Sequence, residues 1–157
     1  MLSVFDGLRD VTTLSVFVRL ACALICGGII GIERSYKRRP AGFRTHILIC
    51  IGAAITTLTS QYLYLNMHYF TDMARLGAQV VAGIGFIGAG TIIVTKRQRV
   101  KGLTTAAGLW TSAIIGLTFG SGFYEGGILA TVFIMLAELV FSRLEYRVLE
   151  HVPEINV

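Results

Sequence analysis

The feature that most constrains this chain is a tract of twenty uncharged residues, 76–95, bounded by Arg75 and Lys96. A helix needs about 20 apolar residues to cross the roughly 30 Å hydrocarbon core of a bilayer. The composition of the whole chain agrees with a crossing. The mean hydropathy is +0.71 and 15% of the residues are charged, whereas soluble domains have about 25% charged residues. The sequence therefore predicts an integral membrane protein.

The same tract contains the pattern Gly83-x-Gly85-x-x-Gly88, which matches the fingerprint of dinucleotide-binding loops. That fingerprint must follow a strand, open a helix and be trailed by an acidic residue about 20 positions later. No Asp or Glu occurs between Asp72 and Glu125. The flanking residues are apolar on both sides, as in a helix surrounded by lipid. We therefore interpret the tract as a membrane crossing and not as a nucleotide site.

Five apolar segments predict an all-α membrane protein, a bundle of five transmembrane helices that forms one domain over residues 1–157. The predicted spans are about 12–32, 45–65, 76–95, 103–119 and 123–142. Eleven of the fourteen Lys and Arg residues fall in two loops and the C-terminal tail, which the positive-inside rule assigns to the cytoplasm. The N-terminus is then outside and the C-terminus cytoplasmic. The net charge of +5 is read as this topology signal and not as a nucleic-acid footprint.

Ionisable residues inside spans are costly and usually paired, so each is a candidate functional residue. They form an outer layer of Arg19, Asp72 and Arg75 and an inner layer of Glu33, Arg34, Arg44 and Glu138. Arg19 is predicted to pair with Asp72. Glu138 is predicted to pair with Arg34 or Arg44. The residues leave open whether these layers are functional or only neutralise each other, and whether a metal ion binds.

Small residues spaced one turn apart let membrane helices approach closely. The candidates for helix packing are Gly27, Gly31, Gly83, Gly85, Gly88, Gly90 and Thr104. The four glycines from 83 to 90 are too dense for a single helix face. They indicate a helix closely surrounded by neighbours, or one that is locally unwound. Gln79 is a candidate for a hydrogen bond between helices, and His46 is expected at the membrane interface beside basic residues.

Four segments together carry a resemblance to a known family. They are GGIIGIERSYKRRPAGFRTHILICIGAA (27–54), DMARLGAQVVAGIGFIGAGTI (72–92), KGLTTAAGLWTSAIIG (101–116) and the last span with its acidic residue. Over nearly its whole length the chain resembles the MgtC/SapB family of bacterial inner-membrane proteins. Matched by position, the resemblance assigns the family's characteristic residues to Glu33, Arg34, Arg44, Thr45, Asp72, Arg75, Gln79 and the glycines that follow it.

The resemblance implies a five-helix membrane domain associated with adaptation to low magnesium and, in some members, with virulence. The best-described members resemble regulators that bind and restrain the F-type ATP synthase. We therefore expect a non-enzymatic, multi-pass inner-membrane protein of magnesium or envelope homeostasis that acts by contact with another membrane protein. The alternative is a cation transporter or channel that works as an oligomer. A homo-oligomer, most simply a dimer, is expected. No cofactor is expected, although Mg²⁺ is a possible ligand.

Two departures from the virulence-type members point to the short, SapB-like branch of the family. The sequence ends soon after the last predicted span, where virulence-type members carry a soluble domain. Thr104 and Thr111 stand where those members tend to have Asn and Cys. The virulence and ATP-synthase roles are correspondingly less expected for this chain.

Overall fold

The structure is a computed structural model that describes residues 2–68, 72–96, 99–141 and 144. Its helices are a 3₁₀-helix Ser3–Leu8, α1 Thr13–Tyr36, α2 Phe43–Leu65, α3 Arg75–Ala89, α4 Leu103–Gly120 and α5 Tyr124–Leu136, and α5 continues into a π-helical turn Ala137–Phe141. Two short antiparallel strands, β1 Ile93–Val94 and β2 Val100–Lys101, join α3 to α4 with Ile93 opposite Lys101 and Val94 opposite Val100.

Four of the described helices are long and apolar enough to cross a membrane. They are Thr13–Tyr36, Phe43–Leu65, Leu103–Gly120 and Tyr124–Phe141. These four correspond to the first, second, fourth and fifth predicted spans. The helical nature of the chain and its apolar helices therefore agree with the sequence-based prediction.

The helix predicted over the third span, 76–95, ends earlier than predicted. α3 stops at Ala89 and has 15 residues, which gives it a length of about 22 Å at 1.5 Å per residue. Gly88 and Gly90 weaken a helix there, and the run of β-branched residues that follows favours extended backbone. Gly102, which has a φ of 99°, fixes the return of the chain. A side chain at that position would collide with the carbonyl of Thr91.

The contact between α1 and α2 depends on two glycines one turn apart. A Cβ atom at Gly27 would lie 2.9 Å from the Cβ of Cys50, and one at Gly31 would lie 2.7 Å from the Cα of Phe43. The two helix backbones therefore approach as closely as small residues allow. The Gly27-x-x-x-Gly31 motif is used inside the chain.

α4 packs on α2 in the same manner. A Cβ atom at Gly116 would collide with the carbonyl of Cys50, and one at Gly120 would lie 2.5 Å from the carbonyl of Ala54. Both pairs advance in the same direction along the two helices. α2 and α4 are therefore parallel. Arg19 of α1 also donates to the carbonyl of Gly120 in α4, so the three helices contact one another.

α3 packs chiefly on α4 and runs antiparallel to it. The space at Gly77 is filled by Leu117, and the space at Gly88 by Ala106. α1 runs antiparallel to α2, since Gly27 meets Cys50 while Gly31 meets Phe43. Successive helices therefore alternate in direction from α1 to α4.

Candidate functional site

Two polar clusters lie at opposite ends of the bundle. The inner cluster, at the C-terminal ends of α1 and α5, consists of Glu33, Arg34, Lys37, His46 and Glu138. The outer cluster, at the N-terminal end of α1, consists of Arg9, Arg19, Gln61, Gly120, Gly122 and Glu125. Buried polar groups inside a membrane bundle are default candidates for function.

Arg34 holds the inner cluster together. Its Nε atom donates to Glu33 Oε2 at 2.5 Å, and an Nη atom forms an ion pair with Glu138 at the end of α5. Lys37 Nζ lies 2.8 Å from Glu33 Oε1 and also donates to the Glu138 carbonyl at 2.7 Å. Two cations and two carboxylates therefore balance each other. The prediction that Glu138 pairs with Arg34 or Arg44 is confirmed for Arg34.

His46, in the first turn of α2, belongs to the same cluster, and its place at the membrane interface stays a prediction. The side chain is fully buried, because α1 and α4 cover the first turn of α2. Its Nδ1 atom lies 2.9 Å from the carbonyl of Gly42. A carbonyl only accepts, so Nδ1 is the protonated nitrogen. Nε2 faces α4. It lies 3.7 Å from the point that a Cβ atom at Gly108 would occupy.

Arg19 occupies the centre of the outer cluster and is fully buried. Nη1 donates to Gln61 Oε1 at 2.7 Å and to the Gly120 carbonyl at 2.8 Å. Nη2 donates to the carbonyls of Leu8 and Arg9 at 3.4 and 2.5 Å. No carboxylate among the described residues bonds to this guanidinium, which carbonyl and amide oxygens hold instead. The predicted Arg19–Asp72 pair is therefore wrong.

The segment before α1 caps the outer end of the bundle. Arg9 donates to Glu125 at 2.7 Å and to the carbonyl of Gly122 at 3.1 Å. Gly122 has a φ of 78° and lies against the Arg19 guanidinium, so a side chain fits poorly there. Burial opposes the charge of Arg9, but its hydrogen bonds to Glu125 and Asp6 outweigh burial and raise the pKa of Arg9.

Four of the predicted site residues lie outside both clusters. Arg44, Asp72, Arg75 and Gln79 are all exposed. Asp72 Oδ1 accepts a hydrogen bond from the backbone of Ala74 at 2.9 Å, just before α3 begins. The inner layer thus contains Glu33, Arg34 and Glu138 without Arg44. The outer layer contains Arg19 without the two charged residues at the start of α3.

The glycine-rich part of α3 is less crowded than predicted. Nothing lies within 4 Å of a Cβ atom at Gly83 or Gly85, and Gly90 meets only carbonyls of its own helix. Gly88 alone of the four packs on another helix. Thr104 is exposed at the start of α4. The expectation of close neighbours around these positions is therefore wrong within one chain, and α3 presents an open face.

An apolar groove of about 360 Å³ runs beside this open face, between α2 and α3. It is lined by Leu48, Ile49, Gly52, Ala53, Val80, Gly83, Ile84 and Ile87. Its walls offer shape and apolar contact but hardly any hydrogen-bonding groups. It suits an apolar occupant and not an ion.

The sequence reasoning missed several residues of both clusters. Lys37 stands four positions after Glu33, a spacing that favours an ion pair on a helix, so this contact was open to prediction. Gln61 and the backbone carbonyls around Arg19 carry no comparable signal. In the described part of the chain, no three His, Cys, Asp or Glu side chains lie close enough together to hold a metal ion.

Comparisons with known proteins place this geometry in context. The family model described as "MgtC family" matches residues 20–147. The chain is 43% identical over 141 residues to the Escherichia coli K12 protein named "Putative magnesium transporter YhiD". The match covers 87% of this chain and 65% of that protein. The chain is 37% identical over 131 residues to "Protein MgtC" of Salmonella typhimurium LT2, covering 83% of this chain and 54% of that protein.

A third relative, a protein of Haemophilus influenzae without an assigned function, is 40% identical over 129 residues. The chain covers 54% of that protein's length. It therefore spans between about half and two thirds of the curated relatives that it matches. No solved structure gives a significant match.

Proposed function

The chain belongs to the MgtC family, and on that basis we propose that it is a non-enzymatic, multi-pass protein of the bacterial inner membrane that acts in magnesium homeostasis by contact with another membrane protein. The proposed domain is one transmembrane unit over the whole sequence. The family match and the magnesium-related name of its E. coli relative support the link to magnesium.

The observation that carries this proposal is the charge balance of the inner cluster. A path for Mg²⁺ needs oxygen ligands whose charge is not already neutralised. Glu33 and Glu138 each have an ion-pair partner in Arg34, and Glu33 has a second in Lys37. These carboxylates are engaged in joining α1 to α5. A structural framework for contact explains this arrangement better than a cation path.

The surface of the spans supports a partner inside the membrane. Many large apolar side chains of the long helices are exposed, among them Phe17 and Leu48 at 71% and 69%. A surface of this kind is compatible with lipid and with the helices of another membrane protein. The F-type ATP synthase, which the family resemblance implies for its best-described members, is one candidate partner.

We propose that all five helices cross the membrane, with the N-terminus outside. Three observations support this orientation. Successive helices from α1 to α4 alternate in direction. The inner cluster lies at the end that carries the basic loops 37–44 and 95–102. Neither loop contains an acidic residue, so the positive-inside rule assigns both to the cytoplasm. α3 with the strands that follow it then forms the third crossing.

Reconstitution of the purified chain into liposomes that contain a magnesium-sensitive dye tests the function. We expect no magnesium entry above that of protein-free liposomes. Cross-linking in native membranes, followed by mass spectrometry of the purified complexes, should recover a partner membrane protein. Magnesium entry that is lost in Asp72→Asn and retained in Asp6→Asn would overturn the contact function, because both carboxylates are exposed and only Asp72 borders α3.

The second candidate function is cation transport. The observation in its favour is the relative named as a magnesium transporter, which is 43% identical to this chain. Transport would require a path through the membrane. The ion pairs of the inner cluster would have to separate before that path opens. The same liposome measurement distinguishes the two candidates, since only a transporter admits magnesium.

A further inference from the structure

We propose that α3 pairs in parallel with α3 of a second copy of this chain, through one exposed face. This outward face is defined by Arg75, Gln79, Ala82, Phe86 and Ala89, with Asp72 directly before the helix. The inference goes beyond the proposed function, because a contact protein and a transporter could both dimerise in this way.

The position of the face follows from the packing of α3 on α4. Ile84 and Gly88 are the buried residues of α3, and Gly88 contacts Ala106 of α4. At about 100° per residue, the five helical residues of the outward face lie roughly opposite these two. All five are exposed, and 86% of Phe86 is accessible. No other element of the described chain covers this face.

The spacing of the face is that of a seam between two helices. Its residues stand at positions 72, 75, 79, 82, 86 and 89, so the steps alternate between three and four. This alternation brings one stripe of each helix against the same stripe of a parallel partner. Ala82 and Ala89 are small enough for close approach. Phe86 supplies the large apolar contact between them.

Gln79 provides the first argument for a second copy as the occupant. Its side chain is exposed within an otherwise apolar stretch, and it forms no hydrogen bond with the described residues. An amide that faces hydrocarbon without a partner is costly. The same amide both donates and accepts. Two Gln79 side chains at a two-fold axis therefore satisfy each other, as a polar residue does at the seam of a paired coiled coil.

The charges at the outer end provide the second argument. Asp72 and Arg75 are both exposed, and neither forms an ion pair within the described chain. In a parallel two-fold pair, Asp72 of each copy reaches Arg75 of the other, and the contact occurs twice. Each polar group of the face thus finds its complement on the same face. A self-complementary surface of this kind indicates a copy of the same chain and not a different protein.

Cysteine cross-linking in membranes tests the interface. The three native cysteines are replaced by alanine, and single cysteines are introduced as Gln79→Cys, Ala82→Cys and Phe86→Cys. We expect oxidation to give a dimer with each of these variants. Val81→Cys is the matched control, because Val81 lies on the side of α3 that faces α4, and it should remain monomeric. Cross-linking at Val81 as strong as at Ala82 would overturn the assignment of the face.

A charge exchange separates a specific interface from a folding defect. Asp72→Arg should weaken dimerisation about tenfold. Energy transfer between labelled copies of the full chain in nanodiscs measures this change. The double variant Asp72→Arg, Arg75→Asp should restore dimerisation. Failure of the double variant to recover, with its melting temperature unchanged, would overturn the proposal. The proposal would also be overturned if these cysteines cross-linked only to a protein of different mass, or did not cross-link at all.

Discussion

Arg34 in α1 and Glu138 beyond the end of α5 form an ion pair across 104 positions of the sequence. Arg34 is fully buried, and 15% of the Glu138 side chain is exposed. The pair joins the first and last helices at the inner end of the bundle, where Lys37 adds a bond to the Glu138 carbonyl. Of the ion pairs within the helices of the described chain, it joins the residues that lie farthest apart in the sequence.

Glu138→Gln should destabilise the chain by about 1.5–3 kcal/mol, because it removes a charged hydrogen bond from buried Arg34 and leaves Glu33 as the one carboxylate for both Arg34 and Lys37. Unfolding in detergent micelles, followed by circular dichroism, measures the change. Asp6→Asn is the control. Asp6 also forms an ion pair, with Arg9, but 65% of its side chain is exposed, so the cost should be within about 1 kcal/mol. Equal losses of stability in the two variants would show that the Arg34–Glu138 pair stabilises the chain no more than the exposed Asp6–Arg9 pair does.

Gly31→Ala should destabilise the chain by about 1–3 kcal/mol, the usual cost of an overpacked contact. The new methyl group would lie 2.7 Å from the Cα and 2.9 Å from the carbonyl oxygen of Phe43, and backbone atoms yield less readily than side chains. Gly52→Ala is the matched control in α2, since nothing lies within 4 Å of that position. It should be neutral or gain up to about 1 kcal/mol of helix propensity. Melting temperatures of the two variants provide the comparison.

The sequence predicted those features whose signal is local or periodic. Apolar length located α1, α2, α4 and α5, and the cost of intramembrane charge singled out Glu33, Arg34 and Glu138 as a layer. The partners of Arg19 had no such signal, because backbone carbonyls exist at every position and only the fold selects those of Leu8, Arg9 and Gly120. The end of α3 was predicted too late in the sequence. Apolar length alone does not show that a run of β-branched residues after glycine favours extended backbone.

The proposed orientation predicts which loops react with reagents outside the cell. In a chain whose three cysteines are replaced by alanine, Ser121→Cys lies in the exposed turn between α4 and α5 at the outer end. It should react with a membrane-impermeant maleimide in intact spheroplasts. Arg39→Cys, exposed in the loop between α1 and α2, should react only after permeabilisation. The reverse pattern would place the N-terminus in the cytoplasm.

Arg19→Gln should release the segment before α1 while the bundle stays folded. The arginine donates to the carbonyls of Leu8 and Arg9, and the shorter neutral amide cannot reach both. Hydrogen exchange should therefore rise over residues 3–9 and remain slow in the centre of α2. The ring stack of Phe5 on Tyr124, at 4.9 Å, and the Arg9–Glu125 pair would still hold part of the segment, so partial rather than complete loss of protection is expected.

Tyr124→Phe is the control for this release. It removes the hydrogen bond from the tyrosine hydroxyl to the carbonyl of Leu8 at 3.1 Å and keeps the ring that stacks on Phe5. If the guanidinium is the main tie, Tyr124→Phe should change exchange over residues 3–9 far less than Arg19→Gln does. Equal loss of protection in both variants would mean that the cap depends on the Leu8 carbonyl alone. Uniformly faster exchange in Arg19→Gln, including the centre of α2, would instead make Arg19 a residue of the bundle core.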